Sequence, residues 1–187
     1  MKNRTIILLL IFIPSILWGQ NRDYIILKHS EILQSDTVFG EIIFPKNGII
    51  TKAKISTTEG IEKYSPNKVI GFKYGERYFA SVPYNSHGNV FAERVANGKI
   101  DLCYYDTYSK DYTGGLTGAA AAELTSYYFI KSKKDDSYMK VPHSREKARD
   151  EIAVFFKDNE KIYNQVLSEE FRVWKLPDIV KEYNNEK

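Results

Sequence analysis

Side chains able to do acid–base, metal or nucleophilic chemistry are few in this chain and stand far apart. His29, His87 and His143 are separated by 58 and 56 residues, whereas zinc ligands usually recur within a few positions of each other. Cys103 is the single cysteine and lies in a predicted strand, so we expect a small, half-buried packing residue. A reactive thiol or an intermolecular disulfide is the alternative. We therefore predict no metal, no cofactor and no Cys–His catalytic pair.

Carboxylates could support a hydrolase, because glycosidases work with paired acids. Asp135–Asp136 follow three lysines in a predicted turn, which favours solvated side chains, and Asp106 with Asp111 is a second candidate pair. The segment 113–118 is rich in glycine but lacks the Lys-Ser/Thr of a phosphate-binding loop, so we expect a flexible loop. A cell-envelope hydrolase that uses dispersed acidic residues remains an alternative hypothesis.

Tyrosine is the residue type that stands out. Of 14 tyrosines, six lie between residues 104 and 128. Exposed tyrosines can be buried at a protein interface or stack on sugars at a low entropic cost. The candidate binding residues are Tyr105, Tyr108 and Tyr112, in a loop predicted over residues 105–125. The alternative is that the tyrosines of this stretch are ordinary strand and core residues.

The elements that must position these side chains are strands first and helices last. Strands are predicted over residues 23–28, 37–44, 49–57, 61–64, 68–74, 77–83, 89–96, 99–106, 126–131 and 137–141. Ser144 is a candidate cap for a first helix, Asp158 or Asn159 for a second, and Pro177 suits the start of a third. This order predicts an α+β fold: a mostly antiparallel β-sheet, as a roll or open barrel, followed by two to three C-terminal helices.

Two turns and one buried stripe follow from the same pattern. Asn97–Gly98 predicts a type I′ hairpin turn that pairs Val95 with Ile100 and Arg94 with Asp101, and Gly75–Glu76 predicts a type II′ turn. The helical segment is expected to dock on the strands through a set of apolar residues: Ile152, Phe155, Ile162, Val166, Trp174, Ile179 and Val180.

The first 20 residues have the pattern of a secretory signal peptide. Lys2 and Arg4 precede an apolar run that ends at Trp18, too short to span a bilayer comfortably, and Gly19 or Gln20 is the expected cleavage point. A retained N-terminal anchor is the alternative. Residues 21–187 are then one domain, β-rich over 21–141 and helical over 142–187, with no further membrane segment. Without Lys2 and Arg4 the chain has 25 basic and 24 acidic residues, so nucleic acid is not an expected partner.

Five parts of the chain share the strand and turn pattern of one protein family: Asp23–Lys28, Asp36–Ile42, Tyr64–Pro66 with Val69–Phe72, Phe91–Leu102 and Leu176–Asn184. Together they resemble a family of exported proteins of unknown function from Bacteroidetes-type bacteria. The chain departs from this pattern at His29–Ser35, where a short turn is expected, which leaves the first hairpin open. The resemblance implies export and a β-rich domain with C-terminal helices, and it implies no activity.

These observations favour a non-enzymatic protein that binds an envelope protein or a glycan. The expected location is the periplasm or the exterior of the cell. A purely structural periplasmic domain is a further alternative, since no catalytic motif is present.

Overall fold

The fold combines antiparallel strands with C-terminal helices. In the computed structural model, residues 22–28, 36–46, 49–86, 88–110 and 122–186 are described. Within these residues ten strands precede three α-helices, and the predicted α+β class is confirmed. The predicted signal peptide, His29–Ser35 and His87 lie outside the described residues. Among the helices that are described, none is long and apolar enough to cross a membrane.

The chain divides into two compact units, residues 1–78 and 79–187. In the first unit the strand order is β5-β1-β2-β3-β4, and β1 pairs antiparallel with β2, with Ile25 facing Val38. Alternate side chains on these strands are buried, among them Ile25, Ile55 and Phe72. The strands are β1 (Asp23–Leu27), β2 (Thr37–Ile42), β3 (Ala53–Thr57), β4 (Gly60–Tyr64) and β5 (Val69–Tyr74).

Asp23 and Gly40 fix local geometry in this first unit. The Asp23 carboxylate accepts hydrogen bonds from the backbone N–H of Ile42 at 3.1 Å and of Gly75 at 2.8 Å. Gly75 has a φ of +56°, as the predicted type II′ turn requires of its first loop residue. A Cβ at Gly40 would lie 2.3 Å from the carbonyl oxygen of Ser56, so only glycine fits where β2 approaches its neighbour β3 this closely.

The second unit is built on five strands that pair in sequence order. β8 and β9 pair over eleven residues each, from Ile100 opposite Ser132 to Lys110 opposite Ala122. Both strands are longer than predicted: β8 continues to Lys110 and β9 begins at Ala122, within the segment predicted as a loop. The strands are β6 (Arg77–Asn85), β7 (Gly88–Ala96), β8 (Ile100–Lys110), β9 (Ala122–Ser132) and β10 (Met139–Lys140).

Three helices cover one face of these strands: α1 (Arg145–Ala153), α2 (Glu160–Leu167) and α3 (Leu176–Asn185). Ser144 and Asn159 occupy the predicted cap positions, and the Asn159 side chain accepts a hydrogen bond from the Ile162 N–H at 3.1 Å. The core of the unit joins the helices to β8, β9 and the segment after β10. Its largest fully buried members include Ile100, Leu102, Ile130, Ile152, Phe156, Ile162 and Leu176.

The predicted register of the β7–β8 hairpin is wrong. Arg94 faces Cys103 and Ala96 faces Leu102, with an irregularity between the two pairs. Gly98 is not among the described glycines with positive φ, so the turn is not type I′. The physical reason is a side chain from α3: the amide of Asn184 donates to the Ile100 carbonyl at 2.8 Å and accepts from the Ile100 N–H at 2.9 Å. This contact takes the place of a strand partner at the end of the hairpin.

The predicted buried stripe of the helices is confirmed except at two positions. Trp174 is 68 % exposed, because it lies in a single 3₁₀ turn (Val173–Lys175) whose flanking residues Phe171 and Leu176 occupy the core. Phe155 is half-buried while its neighbour Phe156 is fully buried. A change from α-helix to a 3₁₀ turn at residue 154 rotates the buried face by one position.

Candidate functional site

A cluster of tyrosines lies on the sheet face opposite the helices of the second unit. Ile100, Leu102, Tyr128 and Ile130 contribute to the helical core, so the alternate positions of β8 and β9 face the other side. Tyr105 and Tyr127 are cross-strand partners there. Tyr84 of β6 joins them, with its ring centroid 5.4 Å from that of Tyr105 and 5.3 Å from that of Tyr127, both edge-to-face.

Two cationic or titratable side chains complete this cluster. The Lys140 amine of β10 lies 3.8 Å from the ring centroid of Tyr127 and 4.3 Å from that of Tyr84. The imidazole of His143, an exposed residue, contacts the Tyr127 ring edge-to-face at 4.7 Å. We call this set the tyrosine face: Tyr84, Tyr105, Tyr127, Lys140 and His143.

The tyrosine face is polar enough to meet water and apolar enough to be buried by a partner. Its three tyrosines and Lys140 are half-buried. Burial, followed by a hydrogen bond with Tyr127, raises the pKa of Tyr84 to about 12. The hydroxyl of Tyr84 therefore stays neutral at ordinary pH and can act as donor and acceptor. A cation held over two rings adds positive charge to the same surface.

Cys103 lies two residues before Tyr105 on the same strand and plays a packing role. Its side chain is fully buried, and desolvation raises the pKa of the thiol to about 12. Next to it, the Tyr138 hydroxyl donates to Asp101 at 3.4 Å and the Lys131 amine lies 4.9 Å from the Tyr138 ring centroid. A buried neutral thiol in this setting is a poor nucleophile.

The candidate binding residues have different outcomes. Tyr105 lies in the tyrosine face, in a strand rather than in the predicted loop. The backbone of Tyr108 also belongs to β8, opposite Leu124, and its side chain is outside the described residues, as are Tyr112 and Asp111. The predicted loop over 105–125 is therefore wrong for 105–110 and 122–125. Tyr104 and Tyr128 pair on the helical side instead, with ring centroids 5.3 Å apart.

Three members of the tyrosine face were not predicted from the sequence: Tyr84, Lys140 and His143. Tyr84 lies one residue beyond the predicted strand 77–83, and the strand that carries Lys140 is only two residues long. The members of the tyrosine face come together only through the pairing of five strands, β6 to β10. The one usable sequence signal was the strand alternation that separates Tyr105 and Tyr127 from Tyr104 and Tyr128.

Two of the acidic residues singled out from the sequence, Asp135 and Asp106, have structural partners. Asp135 accepts a hydrogen bond from the Ser132 N–H at 2.9 Å, and the hydrogen bonds from Ser132 lower the pKa of its carboxyl. Asp106 accepts one from the Ser126 hydroxyl at 2.7 Å. Among the described residues, no three His, Cys, Asp or Glu side chains are grouped as a metal site would need.

No protein family model, curated protein or solved structure matches this chain. The geometry of the tyrosine face is therefore the basis for assigning a function.

Proposed function

We propose that this protein is exported and acts as a non-enzymatic binding module of the cell envelope, with the tyrosine face as its contact surface for another protein. The observation that carries the proposal is the packing of Tyr84 with Tyr105 and Tyr127, with the Lys140 amine over the rings of Tyr84 and Tyr127, on the sheet face opposite the helical core. Tyrosines are enriched among the residues that dominate binding energy at protein interfaces.

A protein partner is favoured over a glycan by the position of Lys140. Sugars stack on the flat faces of aromatic rings, and the amine already lies over the faces of Tyr84 and Tyr127. The part of each half-buried tyrosine that is still exposed can contact a partner, together with the positive charge of Lys140. A segment with acidic and apolar side chains complements this surface.

A catalytic role is less well supported. The carboxylates of Asp101 and Asp106 accept hydrogen bonds from the hydroxyls of Tyr138 and Ser126, and the thiol of Cys103 is buried and neutral. A purely structural domain would tolerate changes in the tyrosine face that preserve stability, so this alternative is tested by the same variants.

Export is supported by the sequence of the first 20 residues and by where the fold begins. β1 starts at Asp23, so removal of residues 1–19 or 1–20 leaves every described strand intact. The resemblance to exported proteins of Bacteroidetes-type bacteria points the same way, and we propose a periplasmic or secreted location.

The test is partner capture from the producing organism's envelope fraction, followed by affinity measurement with the purified partner. We expect Tyr84→Ala with Lys140→Gln to weaken binding by at least about tenfold, because truncation of a central tyrosine costs on the order of 2 kcal/mol. Tyr84→Phe should lose less, since the ring is kept. Thermal unfolding checks that each variant remains folded.

Trp174→Ala is the matched control, because Trp174 is an exposed aromatic residue of the same unit that lies outside the tyrosine face. Equal loss of binding in Trp174→Ala and in the tyrosine-face variant would contradict the proposed surface. Binding of soluble envelope glycans that is lost in the tyrosine-face variant would replace the protein partner by a glycan.

A further inference from the structure

A second surface of the same unit, distinct from the tyrosine face, forms a cavity of about 590 Å³. It lies where the β7–β8 connection, the β9–β10 turn, the end of α1 and the side of α3 meet. Ile100, Val154, Phe155 and Tyr183 provide its apolar wall, and Val154 is 50 % exposed although it is aliphatic. An exposed apolar wall inside a cavity is typical of a ligand site.

The rim of the cavity is strongly basic. Four lysines line it, against two aspartates: Lys99, Lys133, Lys134 and Lys157 with Asp135 and Asp158. Both carboxylates are engaged by the protein. The Tyr183 hydroxyl donates to both oxygens of Asp158 at 2.7 and 2.9 Å, and Asp135 holds the Ser132 N–H in the turn that carries Lys133 and Lys134.

One of the lysines is held in place. The Lys99 amine donates to the carbonyl oxygen of Glu186 at 2.9 Å and lies 5.0 Å from the ring centroid of Tyr183. Lys133 and Lys134 belong to an exposed turn beside Lys99, whose carbonyl oxygen accepts a hydrogen bond from the Lys133 N–H at 3.3 Å. An anion bound at this edge of the cavity would meet neighbouring lysine side chains, and lysine binds phosphate as a point charge.

We propose that this cavity binds a small phosphate-bearing amphiphile, with the phosphate between Lys99, Lys133 and Lys134 and the apolar portion against Val154 and Phe155. Four positive charges against two negative ones complement a phosphate monoester or diester. Because the cavity also has an apolar wall, we expect the ligand to carry an apolar group in addition to the phosphate. The ligand chemistry fits a lipid headgroup or a soluble phosphate ester.

The probes are octyl phosphate, octanol and inorganic phosphate, titrated into the isotope-labelled protein and followed by amide NMR. We expect octyl phosphate to shift the signals of Lys133, Lys134 and Phe155, inorganic phosphate to bind at least about tenfold more weakly, and octanol to cause no comparable shifts. Lys133→Gln with Lys134→Gln should weaken octyl phosphate binding at least about tenfold. Val154→Ser should weaken octyl phosphate binding and leave inorganic phosphate binding unchanged.

The matched control is Lys147→Gln with Lys181→Gln, which removes the same charge from exposed helix positions outside the cavity. Equal weakening in both double variants, or no saturable binding of octyl phosphate, would overturn the proposal. Vesicles of phosphatidylglycerol and of phosphatidylcholine distinguish the sources. Lysine-dependent binding to the anionic vesicles identifies a lipid headgroup, whereas binding of octyl phosphate alone identifies a soluble ester.

Discussion

At the scale of single residues, the side chains that attract attention in the sequence have mostly structural roles. Asp106 accepts a hydrogen bond from Ser126, Asp135 closes a turn and Cys103 is buried beside Tyr138. Each of these roles needs a partner distant in sequence or a turn geometry, so residue type alone could not assign it. The two candidate sites are formed mainly by lysines and tyrosines. The sequence alone does not single these residues out, because both types are common on protein surfaces.

The thiol of Cys103 gives a direct test of burial in the second unit. With a pKa raised to about 12, only about one thiol in ten thousand is ionised at pH 8, and the thiolate is the reactive form. We therefore expect iodoacetamide to modify the native protein very slowly at pH 8. The rate should rise toward that of a free thiol in guanidinium chloride.

Mass spectrometry gives the extent of labelling, and the denatured sample serves as the control for complete reaction. Stoichiometric labelling of the native protein within minutes would show that Cys103 is accessible, and would contradict the packing described for β8.

At the scale of elements, the sequence predicted each of the ten strands and the three helix starts, because alternation and capping residues are local signals. The register of β7 and β8 could not be predicted in the same way. It depends on Asn184, 84 residues from Ile100 along the chain, and a local turn rule takes no account of such a contact. The lengths of β8 and β9 were underestimated because the loop predicted from glycine and alanine content included residues 105–110 and 122–125, which lie in these strands.

The contact between α3 and the β7–β8 connection should be measurable as a coupling energy. Asn184→Ala removes both hydrogen bonds to Ile100, and we expect a loss of about 1–3 kcal/mol in the free energy of unfolding. In Gly98→Ala the new Cβ would lie 2.5 Å from the Asn184 Cγ, which should cost about 1–3 kcal/mol through overpacking. The double variant should lose less than the sum by about 1 kcal/mol, since the Cγ and Nδ2 atoms are absent and only the Asn184 Cβ, at 2.8 Å, still has to shift.

Urea unfolding of the four proteins gives the cycle, and Asn185→Ala at an exposed position of α3 is the control. Additive losses would show that Gly98 is required for a reason other than Asn184. A neutral Asn184→Ala would show that its two hydrogen bonds contribute nothing net to the hairpin.

At the scale of the whole molecule, the strands come first along the chain and the helices last, as the sequence predicts. The helices supply most residues of the core cluster that joins them to β8 and β9. The tyrosine face lies on the opposite side of these strands, which the helices do not cover. Without residues 1–20 the charges nearly balance, at 25 basic and 24 acidic residues. The basic cavity is therefore a local concentration of charge rather than a property of the overall composition.

Export is the prediction that belongs to the complete chain. The basic start and short apolar run predict cleavage after Gly19 or Gln20, and the first strand begins at Asp23. We expect the protein recovered from the periplasm or medium to begin at Gln20 or Asn21, as read by N-terminal sequencing. A variant in which Leu8, Leu9 and Leu10 are changed to Asp should remain in the cytoplasm with residue 1 intact, because charged residues abolish the apolar core of a signal.

As a control, Asp substitutions at exposed Lys147 and Lys181 should leave processing unchanged. An exported protein that begins at Met1 would instead support the retained N-terminal anchor. The tyrosine face and the basic cavity would then act close to the membrane surface, where anionic lipid headgroups are at hand.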